Sequence, residues 1–359
     1  MELNPEVKRT GVPDLPRVLG SVSASAVMVG LVIGSGIFRV PSSVAASVET
    51  VGAIALVWVL GGVLALFGSL VVAELSCLYP EAGGVYVFLR EAYGPASAFL
   101  YGWTRLLLLV PASIGAISLI LAAYLDPFLP VEGLEDRWIA ALVILLVTVL
   151  NYRSLLWSAL LENIVTVAKV LVLLALAVAL FALGDGAHGA LAEPTQLSPA
   201  SWSGFGLALV TVMWSYSGWS SIAALAGEVR DPGRNMPRAL MGGIIVVLLV
   251  YLAINGAYLY VLPLEEMAGS PMVAADAATE VFGGWGVSLV SGIVILATFG
   301  AVQAAMMFNP RIFYAMAKDG LLFSPIGSVH RTFLTPHFAT LFTALLGIGY
   351  VLVRSFEQL

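Results

Sequence analysis

Cysteine is almost missing from this sequence: Cys77 stands alone, which excludes an internal disulfide and any cysteine-rich metal site. Histidine is nearly as scarce. His188, His330 and His337 fall at or near loops and lack the HExxH spacing of a helical zinc site, so no metal and no cofactor is expected. Charge is the third shortage, with only 11% Asp, Glu, Lys and Arg against 60% hydrophobic residues and a mean hydropathy of +0.99. Such a balance belongs to a polytopic membrane protein rather than to a soluble domain. A net charge of -6 without a basic cluster argues against a nucleic-acid partner. The polar residues 1–19 form a cytoplasmic N-terminal segment without the h-region of a signal peptide, so the first span is expected to act as the insertion signal.

What the chain has in abundance is apolar sequence in runs long enough to cross a bilayer. These lie at about 20–47, 51–78, 96–122, 137–151, 160–183, 204–226, 239–262, 285–313 and 337–355. The expectation is one all-α polytopic membrane domain of about nine transmembrane helices with the lipid bilayer as solvent. Orientation follows the basic residues. With the N-terminus inside, the inner segments hold Lys8, Arg9, Arg17, Arg90, Arg153, Arg230, Arg234, Arg238, Arg311, Lys318 and Arg331, and the outer ones only Arg39, Arg137 and Arg354. Acidic residues lean the other way, with Asp126, Glu132, Glu135, Asp136, Asp185, Glu193, Glu265, Glu266, Asp276 and Glu280 outside.

Two of these spans are interrupted. The first carries Gly30-Leu31-Val32-Ile33-Gly34-Ser35-Gly36-Ile37, with three glycines and a serine at mid-depth, where an intact helix would hold leucine or valine. The sixth carries Trp214-Ser215-Tyr216-Ser217-Gly218, again small and polar between apolar flanks. Backbone opened inside a membrane exposes amide donors at the start of one half-helix and carbonyl acceptors at the end of the other. Donors of that kind suit a carboxylate and the acceptors an ammonium, and a free amino acid carries both. Breaks five spans apart point to an inverted five-helix repeat, 20–183 for helices 1–5 and 204–359 for an incomplete second set, helices 6–9, with the site between them. Glycines without polar companions, Gly61, Gly62, Gly68, Gly242 and Gly243, read as helix packing.

Lys169 is a cation in mid-span, about nine residues from the inner end if the fifth span begins near 160. That is roughly 13 Å, too deep for easy snorkelling, and an ionisable group at such depth is a functional candidate. It would serve either as a proton carrier or as a fixed cation. Arg105, nearer a span end, reads as a snorkelling or loop-paired side chain. The 227–238 loop, with two prolines and alternating charges, reads as an ordered turn between the sixth and seventh spans.

Several separated motifs carry a resemblance: GSGIF at 34–38, AELSCLYPEAGGVYVFLREAYGP at 73–95, TVAKV at 166–170, YSGW at 216–219, GEVRDPGRNMPRAL at 227–240, and AMAKDGLLF at 315–323 followed by Thr335-Pro336-His337. Together they resemble the amino acid-polyamine-organocation (APC) superfamily, and within it the sodium-independent L-type amino acid transporter-like permeases. The resemblance covers the whole chain and implies the leucine-transporter (LeuT) fold with helices 1 and 6 unwound at the substrate. It implies that amides around Ser35, Gly36 and Ile37, beside Ile33 and Gly34, hold the substrate carboxylate, and that carbonyls of Val32 and Trp214 receive its amino group. By the same resemblance Trp214 is the aromatic gate and Ser217 and Gly218 line the side-chain pocket; Ser215 and Tyr216, within the second break, are counted with them as substrate-binding candidates. Lys169 matches a fifth-helix lysine placed where sodium binds in sodium-driven relatives, so proton coupling or exchange is expected in place of sodium symport. Arg39 departs from the small or apolar residue the resemblance implies and would bias the outer vestibule toward anionic or neutral substrates. Family members usually have twelve spans, so helices 10–12 are expected beyond Leu359.

The function expected is secondary active transport of amino acids, neutral ones by the absence of an assignable charge in the pocket, across the plasma membrane by alternating access. Exchange and proton symport both stay open, with protons the candidate coupling ion. The alternatives are an amino-acid-binding sensor on the same scaffold or an inactive fragment of a twelve-helix permease. An enzyme is not expected, because no span holds a catalytic pair.

Overall fold

The computed structural model describes residues 15–125, 128, 135–186, 189–192 and 202–353. Lys8, Arg9, Asp126, Glu132, His188, Glu193, Arg354 and the tail at 355–359 lie outside the described residues. Among the described residues the secondary structure is helical, apart from an isolated bridge between Leu19 and Val229.

The first span is two helices, α1 (Ser21–Val32) and α2 (Gly36–Val48), bent by 49° at the glycine-serine break. Five further segments are long and apolar enough to cross a membrane: α3 (Val51–Leu78), Pro95–Leu125, α8 (Leu155–Leu183), α10 (Pro232–Val261) and α13 (Trp285–Lys318). A short helix, α4 (Val85–Tyr93), precedes the second of these, which itself comprises α5 (Pro95–Thr104), a π turn at Arg105–Leu109 and α6 (Val110–Leu125). Pro111 has no N–H for the carbonyl of Leu107, and the Tyr350 hydroxyl donates to that carbonyl instead. The remaining helices are α7 (Asp136–Arg153), α9 (Trp202–Ser215), the short α11 (Leu264–Gly269) and α12 (Val273–Phe282), and α14 (His337–Val353). Thus each expected span coincides with a helix or an interrupted helix, and the sixth continues after its break as the 3-10 segment Trp219–Glu228.

Several boundaries differ from expectation. α8 begins at Leu155, because the Ser154 hydroxyl accepts the Trp157 N–H at 3.3 Å and caps the helix. Lys169 is therefore fourteen residues in, about 21 Å along the axis, and lies at mid-helix. The 227–238 turn is shorter than its proline content suggests, since Pro232 opens α10 at the first helical position, where a missing N–H costs nothing. Arg105 reaches no loop: it sits in the π turn and donates to Asn309 Oδ1 of α13 at 2.8 Å. Arg311, counted among the inner basic residues, is not a surface charge. It is 1% exposed within α13 and makes two bonds to the fully buried Glu228, at 2.6 and 3.1 Å.

Packing follows the small residues. A β-carbon at Gly61, Gly62 or Gly68 of α3 would lie within 2.6 Å of Val212, Leu248 and Trp219 respectively, so α3 lets α9, the 3-10 segment and α10 approach closely. Gly243 of α10 admits Met28 of α1 in the same way, whereas Gly242 has nothing within 4 Å.

Candidate functional site

α1 stops at Val32, leaving its last carbonyls without helical donors. Lys169 supplies a donor to one of them, Gly30, and to Ile33 just past the helix end. Its Nζ donates to Gly30 O at 2.5 Å and to Ile33 O at 3.1 Å, and the side chain is fully buried. A cation at a helix C-terminus complements the negative end of the macrodipole, and here it also holds the opened backbone of α1 to α8. Thr166, one turn earlier on the same face, stands 3.0 Å from Ala26 O, and Asn163 donates to the Ser23 hydroxyl.

Across the break α2 begins at Gly36, and its first amides, at Gly36 and Ile37, come before any intrahelical carbonyl that could accept them. Gly36 packs on Ser215, whose Oγ would lie 3.0 Å from a β-carbon at that position. The Ser215 hydroxyl is buried and has no hydrogen-bond partner, so the junction of the two breaks holds an unused polar group beside α2's amides. Tyr251 of α10 ties the breaks together, its hydroxyl lying 2.9 Å from Val32 O and 3.1 Å from Ser215 O. Gly218 has φ +107° and lies against Leu31, a conformation and a fit that suit glycine alone. The structure thus brings together Val32, Ile33, Gly36, Ser215, Gly218 and Lys169.

The other expected residues are arranged differently. Tyr216 turns toward α3, donating to Trp58 O at 3.1 Å within an aromatic cluster of Trp58, Tyr216 and Tyr251. Ser217 is exposed and closes a turn through its amide and hydroxyl, 3.1 and 2.7 Å from Trp214 O. The carbonyls of Val32 and Trp214, expected to meet a substrate ammonium, each face two donors already, Gly34 N–H and the Tyr251 hydroxyl at Val32 and the Ser217 amide and hydroxyl at Trp214, so a ligand would have to displace one of them. The Trp214 ring is 61% exposed and closes nothing in this conformation. A 520 Å³ cavity bounded by α2, α6, α7, α13 and α14 reaches the break at Ser35, passes Phe38 and Arg39, and includes Tyr124 and Val294.

On another side of the bundle, the 73–95 and 315–323 motifs meet. Arg90 bonds Asp319 at 2.7 Å, Glu91 at 2.9 Å and Glu81 at 3.1 Å, and Tyr86 donates to Asp319 at 2.8 Å. Burial and the bond to Asp319 push the Tyr86 hydroxyl above its usual range, keeping it a donor. Close by in sequence to the second break, Glu228 O accepts the amides of Val18 and Leu19, and Arg230 N–H returns to Leu19 O. The chain entering α1 is therefore clipped to the chain leaving the sixth span, next to the Glu228–Arg311 pair.

Tyr251, Glu162 and Glu228 were missed from sequence. Tyr251 stands among apolar residues of α10 and reads there as an aromatic in a core. The other two carried a usable signal, since each is a carboxylate inside or abutting an apolar span with a basic residue elsewhere to answer it.

The family model described as amino acid permease matches residues 19–356. The chain is 30% identical to the serine/threonine exchanger SteT of Bacillus subtilis, over 96% of this chain and 78% of that protein. It is 30% identical to the mouse b(0,+)-type amino acid transporter 1, over 99% of this chain and 73% of the relative. To the rat large neutral amino acids transporter small subunit 2 it is 32% identical, over 92% of this chain and 63% of that protein.

Proposed function

The chain belongs to the amino acid permease family of the APC superfamily, and from that premise we propose that it moves neutral amino acids across the cell membrane by alternating access around the two broken helices. It is an integral membrane transporter and not an enzyme, as are the relatives it matches. The observation that carries the finer reading is the junction at Gly36 and Ser215. There the amides opening α2, the unpartnered Ser215 hydroxyl and the carbonyls of Val32, Ser215 and Trp214 lie within a few residues of one another. An α-carboxylate fits the amide end, and an ammonium fits the Ser215 carbonyl or takes the place of a present donor at Val32 or Trp214. Gly36 and Ser215, which meet at that junction, are uncharged, which favours a neutral substrate; Arg39, Glu135, Asp136 and Arg137 line the cavity that reaches Ser35, and Lys169 is committed to the carbonyls of Gly30 and Ile33.

Transport then requires α1 and the 3-10 segment to move relative to α8 and α13, with the Trp214 ring turning inward over the ligand. The names of the relatives support exchange, while Lys169 in the place of a metal ion leaves a proton as the candidate coupling ion. The basic bias supports an N-terminus in the cytoplasm, and the interrupted spans are consistent with repeats at 20–183 and 204–359, with the cell membrane as the proposed location. The test is uptake of labelled amino acids into proteoliposomes, with and without preloaded amino acid and with an imposed proton gradient. Saturable uptake accelerated by preloaded neutral amino acid supports exchange. Uptake that ignores preload and follows the proton gradient supports symport, and no uptake of any amino acid refutes the reading.

A further inference from the structure

The buried face of α8 holds a group that the substrate junction does not use. Glu162, seven residues before Lys169, is fully buried. Its Oε1 lies 3.1 Å from the Thr166 hydroxyl oxygen, and its Oε2 is buried with no hydrogen-bond partner. The same Thr166 oxygen lies 3.0 Å from Ala26 O of α1. Gly30 makes the arrangement possible, since a β-carbon there would fall 1.9 Å from Glu162 Oε1 and 2.5 Å from Thr166 Oγ1. The carboxyl therefore presses on the turn of α1 whose carbonyl Lys169 holds.

Counting hydrogens separates two states. A threonine hydroxyl has one hydrogen to give. If Glu162 is ionised, its carboxylate and the Ala26 carbonyl compete for that hydrogen and one goes without. If Glu162 carries a proton on Oε1, its O–H donates to Thr166 and Thr166 donates to Ala26 O, so both short contacts are hydrogen bonds at once. A dry carboxylate with an unpartnered oxygen is also the costlier form.

We propose that Glu162 is a proton-binding site of this transporter, whose occupancy decides whether Thr166 ties α8 to α1. On release the Glu162 O–H bond breaks, the electron pair stays on the carboxylate and the proton passes to water. Thr166 then turns to the carboxylate and frees the Ala26 carbonyl. The charged group that acts on Glu162 is Lys169. From the packed neighbours, α1 brings no titratable side chain in Ser21–Val32, α13 brings Gly300 and the uncharged Gln303, and α7 brings Asn151. On α10 the face toward Thr166 is Gly242, Gly243 and Val246, its basic Arg234 and Arg238 being exposed, and α12 carries Asp276, held by Ser270, and Glu280. This deepens the proton-coupled form of the proposed function and rests on it only for the link from α1 to transport.

The test uses the full chain in lipid nanodiscs and needs no substrate, so a failure of the transport reading leaves it legible. Infrared difference spectra across about pH 6 to about pH 9 read a buried carboxylic acid directly, and hydrogen exchange of α1 amides, corrected for intrinsic rates, reads the tie. We expect a carboxylic-acid band that titrates in the wild type and is missing from Glu162→Gln. Protection of α1 should fall about fivefold over the same range in the wild type. It should stay high in Glu162→Gln, whose amide N–H replaces the acid O–H toward Thr166. Thr166→Val should show the low protection at both ends while keeping the band. A band unchanged in Glu162→Gln overturns the proposal, as does a wild-type pH response of α1 that Thr166→Val retains.

Discussion

Replacing Tyr251 with phenylalanine deletes one oxygen from the point where the two broken helices are joined. The ring remains, with its edge contacts to Trp58 at 5.4 Å and Tyr216 at 5.2 Å, so packing is preserved. What disappears is one donor shared by Val32 O and Ser215 O. A net hydrogen bond contributes about 1 kcal/mol, and a buried acceptor left unsatisfied costs about 1–3 kcal/mol, so the register of the breaks weakens by about 2 kcal/mol. If substrate binds only when the breaks are in register, that converts to about a 30-fold rise in apparent KM. The assay is amino acid exchange in proteoliposomes as a function of external concentration. Tyr258→Phe is the control, because Tyr258 is buried on the same helix with a hydroxyl that has no partner, and its loss should leave KM within about twofold. A Tyr251→Phe protein with the KM of the wild type would refute the view that this hydroxyl holds the site.

Other expectations follow from the same contacts. Lys169→Met removes two charge-assisted bonds to α1 and leaves Glu162 without its cation, so exchange should fall by at least about 100-fold; wild-type rates in that variant would show the lysine to be dispensable. Combining it with Glu162→Gln should restore melting temperature without restoring exchange, because the buried charge is gone while the α1 carbonyls still lack their donor. Glu228→Gln breaks a buried two-bond ion pair with Arg311 and should cost about 3–5 kcal/mol of stability, read as a lower melting temperature in detergent. The double replacement Glu228→Leu with Arg311→Met should recover much of that loss, and an unchanged melting temperature for Glu228→Gln alone would contradict the assignment.

The parts of the fold visible in the sequence are those written in residue type. Glycine and serine inside apolar runs announced the breaks at 33–35 and 216–218, and the basic residue of TVAKV announced the anchor at Lys169. Side-chain direction was not visible in that way. Tyr216 and Ser215 are neighbours in sequence, yet one turns to Trp58 and the other to Gly36, a choice made by the turn that follows α9. Partners far apart in the chain were equally hidden. Arg311 read only as one of the inner basic residues because its carboxylate stands 83 residues away, and Glu162 was overlooked because the helix starts five residues earlier than its apolar run suggests. Tyr251 gave no polar pattern to notice, and only the approach of α10 to both breaks reveals its use.

The touching ends of the two broken helices are the proposed amino acid site. Equilibrium binding of labelled neutral amino acids to the purified protein tests it most directly, comparing Gly36→Leu with Gly242→Leu. The first drives a side chain into Ser215 at the junction, and the second places the same side chain where nothing lies within 4 Å. Gly242→Leu should retain saturable binding and Gly36→Leu should abolish it, with both proteins still folded by melting temperature. Binding to Gly36→Leu at wild-type affinity would contradict it.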